Sequence, residues 1–305
     1  MGRVAFVAYG AAVSAQRMPA AEVPVSVELV RRLVAEQRPD LAGLAVSVLA
    51  NGWDNLVCRL GERLLVRLPR RAMAAELVEH EQRWLPELAP RLPLPVPAPM
   101  FVGRPALGYP WSWSIVPYLP GHVAAEKPPV SPAAAAVALG GFLAALHTPA
   151  PPDAPPHTSR GIPLPRRAEG VAEQLARLDD RSRRVAAAGL WQAVLDVPGW
   201  PGPPQWLHGD LHPANILVHR GELSAVVDFG DLTAGDPAGD LSVAWMLFDA
   251  EHRARFRAAY GAADDHTWQR ARGWALVLAL VFVTFSADNP TMAGIGERTL
   301  DAVLS

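Results

Sequence analysis

Residues 206–231 read W-L-H-G-D-L-H-P-A-N-I-L-V-H-R-G-E-L-S-A-V-V-D-F-G-D. Asp210 follows a glycine, Asn215 stands five positions beyond it, and Asp228 opens a D-F-G thirteen residues past Asn215. The apolar runs 216–218 and 223–227 are separated by Gly221-Glu222, which predicts a hairpin. Closing that hairpin brings Asn215 and Asp228 to one end, beside Asp210. Asn215 offers an uncharged oxygen and Asp228 a charged one, a donor pair that suits a hard divalent cation such as Mg²⁺. Leu211, Ile216, Leu217 and Val218 are apolar and anchor the loop. His208 and His212 read as hydrogen-bonding residues of the loop, since no other soft ligand lies near enough in sequence to build a zinc site.

An aspartate and an asparagine with four residues between them, followed by D-F-G, is the spacing of a kinase catalytic loop. Phosphoryl transfer asks little covalent chemistry of a protein. It needs an aligned hydroxyl, a carboxylate to take its proton and a divalent metal to offset phosphate charge. Asp210, Asn215 and Asp228 are the residue types for those tasks.

Upstream, residues 26–38 have apolar positions at helical spacing, with Ser26 as cap and Pro39 after the end. Residues 45–49 predict a strand, 51–55 (N-G-W-D-N) a turn, and 56–60 and 63–68 two strands joined at Gly61-Glu62. Strand, glycine-containing turn, strand is the layout of a loop that covers nucleotide phosphates, and it nominates Gly52, Trp53 and Asn55. Alternation along 63–68 puts Leu64, Val66 and Leu68 on one buried face. Leu65 and Arg67 face the turn, with Arg67 placed to reach phosphates and Leu65 to lie under a nucleotide base. Residues 72–88 predict a helix, Pro86 marking its last turn. Of Glu76, Glu79 and Glu81, Glu81 shares a side with Trp84 and Leu88 and is the preferred partner for Arg67.

Residues 92–99 are proline-rich and extended. Residues 111–116 alternate as a strand, and the break at 117–121 (P-Y-L-P-G) is a hinge between a strand-rich first third and a helix-rich remainder. Helices are expected at 131–147, 168–184, 185–195, 240–257, 267–285 and 298–304, with 149–165 a flexible proline-rich loop. The apolar stretch 274–286 is too short to span a bilayer and reads as a buried core helix. Residues 1–16 loosely resemble a short signal peptide; they are read as an extension, with Met18 as an alternative start.

The whole chain fits this reading. It has 305 residues, half of them hydrophobic and 19% charged, enough to bury a sizeable core. A net charge of −2 gives no basic footprint, so nucleic acid is not an expected partner. Cys58 is the single cysteine, which excludes an internal disulfide or a cysteine-rich zinc site and fits a reducing compartment. Nucleotide chemistry places the protein in the cytoplasm, with no membrane partner.

H-G-D-L-H-P-A-N-I-L, V-V-D-F-G-D and G-D-P-A-G-D-L resemble the aminoglycoside phosphotransferase family of small-molecule kinases, over roughly residues 45–245. The resemblance implies an α+β, bilobal protein-kinase-like fold. Its β-rich nucleotide-binding lobe would span 21–117, after an extension over 1–20, and its mainly helical catalytic and acceptor-binding lobe 118–305. It implies ATP or GTP as donor and Mg²⁺ as metal. By motif position Asp210 would be the catalytic base, Asn215 and Asp228 metal ligands, and Asp240 a structural residue holding the loop. Arg67 falls where the family carries its nucleotide lysine, Glu81 near the helix glutamate, and Val116 to Tyr118 at the base-contacting hinge. Two features depart from the family: arginine in place of that lysine, which is not an equivalent cation, and a 51–55 turn with one glycine where three are usual. The segment resembling the acceptor region carries Asp231, Asp236, Asp249, Glu251, Asp264, Asp265 and Asp288, acids suited to a polycationic antibiotic, with Asp231 the foremost candidate. A metabolite kinase with a choline-like or sugar acceptor, or a non-catalytic nucleotide-binding protein, are the alternatives.

Overall fold

The computed structural model describes residues 20–52, 54–261 and 263–305; the 1–19 extension and Trp53 lie outside them. Helix α1 (Val27–Gln37) begins where Ser26 Oγ accepts the Leu29 amide at 3.1 Å. Five strands follow: β1 (Val46–Asn51), β2 (Asn55–Leu60), β3 (Leu64–Pro69), β4 (Phe101–Gly103) and β5 (Trp113–Pro117). They form one antiparallel sheet in the order β1-β2-β3-β5-β4. Helix α2 (Ala72–Leu88) runs between β3 and β4 and keeps Pro86 within its last turn.

Both faces of β3 are covered. Val66 and Leu68 pack with Val30, Leu33 and Val34 of α1. Leu65, on the other face of β3, is buried as well. It joins Val57 and Val116 in a second cluster whose other half comes from the C-terminal part of the chain. That half is β6 (His122–Val123), β8 (Ile216–His219) and β9 (Glu222–Val226), an antiparallel sheet that contributes Val123, Leu217 and Ala225; Val227, just past β9, completes the cluster. A seam of aliphatic side chains therefore joins the two lobes at the predicted hairpin.

The C-terminal lobe is mainly helical: α3 (Pro132–Leu146), α4 (Ala168–Ala176), α5 (Arg181–Leu195), α6 (Ala238–Leu241), α7 (Val243–Leu247), α8 (Ala250–Tyr260), α9 (Asp265–Phe285) and α10 (Pro290–Leu304). Two short strands, β7 (Gln205–Leu207) and β10 (Thr233–Gly235), pair antiparallel and bracket residues 208–232. Three expected helix bounds are corrected. The run 168–184 breaks because Asp180 accepts the Ser182 and Arg183 amides and starts a new helix. The run 240–257 breaks into three, α8 starting where Asp249 accepts the His252 amide. The last helix starts at Pro290 under an Asn289 cap, eight residues earlier than its apolar pattern indicated. Helix α9 is the buried core helix anticipated, with Trp274 to Phe282 all buried. Among the described residues no helix is long and apolar enough to cross a membrane. The β-sheet lobe and the helical lobe give the bilobal α+β, kinase-like fold.

Candidate active site

Between β7 and β10 the backbone makes a tight loop that only glycine allows at its second residue. Gly209 has φ +85°, and a Cβ there would lie 2.1 Å from the Asp231 carbonyl oxygen. The loop is held from below by Asp240, whose carboxylate accepts the His208 amide at 2.7 Å and the Gly209 amide at 3.0 Å. His147 Nε2 lies 3.2 Å from the same carboxylate, while its Nδ1 is 2.9 Å from the Tyr260 hydroxyl. Burial alone would raise the Asp240 carboxyl; the His147 hydrogen bond and the nearby imidazoles outweigh it and hold the group ionised below the ordinary carboxylate value.

The histidines do loop work. His208 Nδ1 accepts the Asp210 amide at 3.2 Å, which leaves the proton on Nε2 to donate to the Val227 carbonyl at 2.9 Å. Burial lowers its pKa and keeps it neutral. His212 Nδ1 accepts the Ala214 amide, capping a 3₁₀ turn at Pro213–Asn215. Asn215 Nδ2 donates to the Asp210 carbonyl at 2.9 Å, and the Val227 amide donates to the Asn215 carbonyl at 2.9 Å. These bonds tie Asp210, Asn215 and Asp228 into one unit at the open end of the β8–β9 hairpin.

At that end two buried oxygens have no hydrogen-bond partner among the described residues: Asn215 Oδ1 and Asp228 Oδ2. Leaving a buried acceptor unsatisfied costs about 1–3 kcal/mol, more if charged. Asp228 also sits at φ +65°, in the left-handed region that a non-glycine residue enters at a cost. Its carboxyl is pushed well above the ordinary value by burial, opposed by Arg67 and reinforced by Glu81, Asp210 and Asp231. An amide oxygen and a carboxylate oxygen, unpaired among like charges, fit a hard divalent cation. Among the described residues no group of three or more His, Cys, Asp or Glu is arranged to hold a metal.

A narrow cleft opens on these groups, lined among others by Asp54, Asn55, Glu81, Asp210, Asp228 and Asp231. On its sheet side Arg67 grips Glu81 of α2 with both arms, at 2.5 and 3.2 Å, and both side chains are buried. The 51–55 turn is braced by the two arginines after β3. Arg70 donates to the Gly52 carbonyl at 2.8 Å, and Arg71 forms an ion pair with Asp54. The Gly52 amide donates to the Asn55 carbonyl at 2.9 Å. Leu65 and Val116 are fully buried in the inter-lobe cluster, whereas Tyr118 is half-buried at its edge with the Arg59 guanidinium over its ring.

Most of the acids of the C-terminal segment are engaged within the protein. Asp236 is paired with Arg270 at 2.7 Å, Asp249 and Asp264 cap helices, Glu251 pairs with Arg255 and Asp265 with Arg257. Asp231 does lie beside Asp210, but Arg160 takes it. Nε of Arg160 is 3.1 Å from Asp231 Oδ2, and Nη2 is 2.5 Å from Asp210 Oδ1. Arg160 comes from the 149–165 loop, whose composition reads as flexible and whose contacts with Asp210 and Asp231 cross 50 and 71 residues of sequence. Local pattern carries no signal for it. His147, which supports Asp240 from 93 residues away, is equally invisible in sequence.

A family model described as "Phosphotransferase enzyme family" matches residues 45–274. A Bacillus subtilis (strain 168) protein named as uncharacterized protein YcbJ is 29% identical over 98 residues, which is 30% of this chain and 32% of that protein. Among solved structures, the GDP complex of wild-type aminoglycoside 2'-phosphotransferase-IIIa aligns over 92% of this chain and 99% of its own, at 18% identity and a TM-score of 0.67. The apoenzyme of macrolide 2'-phosphotransferase MphH from Brachybacterium faecium aligns over 92% and 98%, at 23% identity and a TM-score of 0.58. These likenesses establish the fold. With three quarters of its length inside the family model, this chain belongs to the phosphotransferase enzyme family.

Proposed function

We propose that the protein transfers the γ-phosphoryl group of ATP or GTP to a hydroxyl of a small molecule, an aminoglycoside-type or related antibiotic, in the cytoplasm. The observation that carries this reading is the pair of partnerless buried oxygens, Asn215 Oδ1 and Asp228 Oδ2, on the loop and hairpin that hold Asp210. In this reading residues 21–117 form the nucleotide lobe and 118–305 the catalytic and acceptor lobe. Asn215 and Asp228 hold Mg²⁺, which when bound offsets charge on the phosphates. Arg67, kept in place by Glu81, faces the phosphates, and the turn carrying Gly52, Trp53 and Asn55 covers them. Leu65, Val116 and Tyr118 border the base. Asp210 takes the proton of the attacking hydroxyl. Burial opposes its ionisation, but Arg160 and His212 more than compensate and hold its carboxyl well below the ordinary range, so it is a carboxylate at neutral pH. Asp240 keeps the loop in shape, and Asp231 borders the acceptor.

A second reading has its own support. Asp231 meets a guanidinium instead of facing the cleft with free charge, which favours an acceptor that is neutral or singly charged near the attacking hydroxyl, such as a macrolide or a choline-like or sugar metabolite. A turnover screen with ATP and GTP across aminoglycosides, macrolides, peptide antibiotics and small metabolites separates these. Phosphorylation of an antibiotic, abolished in Asp210→Ala, is the expected result. Turnover with metabolites and with no antibiotic rejects the antibiotic assignment. Turnover that survives Asp210→Ala rejects the site.

A further inference from the structure

We propose that Arg160 is a positioning residue for the phosphoryl-transfer step, fixing the carboxylate of Asp210 and, through the same guanidinium, neutralising Asp231 at the acceptor side. This rests on the reading of Asp210 as the base. The Arg160 fork divides between two acids: Nη2 to Asp210 Oδ1 at 2.5 Å and Nε to Asp231 Oδ2 at 3.1 Å. The other oxygen of Asp210, Oδ2, lies 3.4 Å from His212 Nε2. Asp210 is therefore held from two sides in one rotamer, and Oδ2 is the oxygen not engaged by Arg160.

The placement of this arginine is built into the fold. All three members are buried, and a buried guanidinium costs several kcal/mol unless it is paired. The loop is fastened on both sides of it. Upstream, Thr233 Oγ1 donates to the Pro155 carbonyl at 2.8 Å. His157 Nδ1 accepts the amides of Ser159 and Arg160 at 3.1 and 3.0 Å, leaving its Nε2 3.6 Å from Asp231 Oδ1. Downstream, Gly161 adopts φ +61° and crosses Gly235 of β10 so closely that a Cβ on Gly235 would lie 2.0 Å from the Gly161 carbonyl oxygen. Since β10 pairs with β7, the strand that leads into Asp210, Arg160 and Asp210 are referenced to one frame. A backbone crossing this close leaves no slack between the arginine and the carboxylate. An error of about 1 Å in a reacting group costs on the order of 10²-fold in rate, and that is the effect such a frame prevents.

The experiment compares wild type with Arg160→Ala, Arg160→Lys and Asp210→Ala. It measures turnover of MgATP and MgGTP with kanamycin, with erythromycin and with water as acceptors, together with binding of fluorescent mant-ADP in the presence of Mg²⁺. Arg160→Ala is expected to lose on the order of 10²-fold in kcat with nucleotide affinity changed by less than about three-fold. Methylguanidinium at non-denaturing concentration should recover at least about ten-fold of the Arg160→Ala loss and none of the Asp210→Ala loss, because it refills a cation site without replacing a base. Arg160→Lys, which keeps the charge but not the fork, should fall between. A kcat for Arg160→Ala within about three-fold of wild type overturns the proposal. So does a loss that is accompanied by lost mant-ADP binding and answers neither to lysine nor to methylguanidinium, since that is the behaviour of a damaged fold. Wild-type protein that binds mant-ADP but turns over no acceptor, water included, even when choline and simple sugars are added to the panel, overturns the reading of Asp210 itself and this proposal with it.

Discussion

The two sides of Asp210 treat buried charge in opposite ways. On the hairpin side, Asn215 Oδ1 and Asp228 Oδ2 have no partner, and Asp228 is surrounded by Glu81, Asp210 and Asp231. On the acceptor side, guanidinium groups meet the acids nearest the loop: Arg160 for Asp210 and Asp231, Arg270 for Asp236. A fold that satisfies its acids on one side and leaves oxygens bare a few residues away is arranged to receive a cation on the bare side. On the other side the protein supplies the cation itself. The lesson concerns the acceptor: acidic composition in the C-terminal segment does not amount to an acidic surface.

The largest way to break this contrast is Asp210→Ala. It removes the group shared by both sides, and kcat is expected to fall by about 10²–10⁴-fold in steady-state assays while mant-ADP still binds. Next is Arg67→Ala, which strands Glu81 as a buried, unpaired carboxylate. Breaking such a pair costs about 3–5 kcal/mol, read as a lower denaturation midpoint with an unchanged m-value. Arg67→Lys should retain much of that stability and lose the two-armed grip. Asp228→Asn tests the bare side directly. In metal-free protein it should be neutral or stabilising by about 1 kcal/mol, because it removes a carboxyl whose ionised form burial and the neighbouring acids disfavour. Mg²⁺ with ADP at about 100 times its Kd should stabilise wild type by about 2.7 kcal/mol, and Asp228→Asn should lose most of that shift in a thermal melt. If Asp228→Asn destabilises the metal-free protein as strongly as Arg67→Ala, the hairpin end is a structural ion-pair site and the contrast is wrong.

The parts of the site that were legible in sequence are those whose geometry is local. Asp210, Asn215 and Asp228 fall together because a hairpin of short strands closes between the last two. Arg67 and Glu81 meet because strand alternation and helical phase both point inward, one on β3 and one on α2. Gly209 is required by one positive φ. What sequence hid depends on contacts between distant segments. Arg160 reaches Asp210 because two glycines, Gly161 and Gly235, let backbones cross, and nothing in the local pattern at 149–165 encodes that crossing. The strands of two or three residues, β4, β6, β7 and β10, are too short for alternation to register. Capping by Asp249 and Asp264 and the pairing of Asp236 with Arg270 are likewise contacts that composition does not register.

Asp240 offers the smallest test and the one with a pH signature. It is a buried carboxylate satisfied without any guanidinium, by two loop amides and His147. Its folded pKa lies below the ordinary 3.8 because the His147 hydrogen bond and neighbouring imidazoles outweigh desolvation. For an acid with a depressed folded pKa, the stabilisation is full above the unfolded value and disappears as pH falls through the folded one. Asp240→Asn keeps a carbonyl acceptor for one amide and loses the charge, so it should cost about 1.5–3 kcal/mol at pH 7. That difference should shrink below about pH 4, as wild type loses the same charge by protonation. Denaturant melts at pH 7 and at low pH give the comparison. A wild-type-to-mutant gap that stays constant across that range would mean Asp240 acts by shape and hydrogen bonding alone, and that among the buried acids around this loop only those facing Arg160, Arg270 or the bare hairpin end have their ionisation tied to the fold.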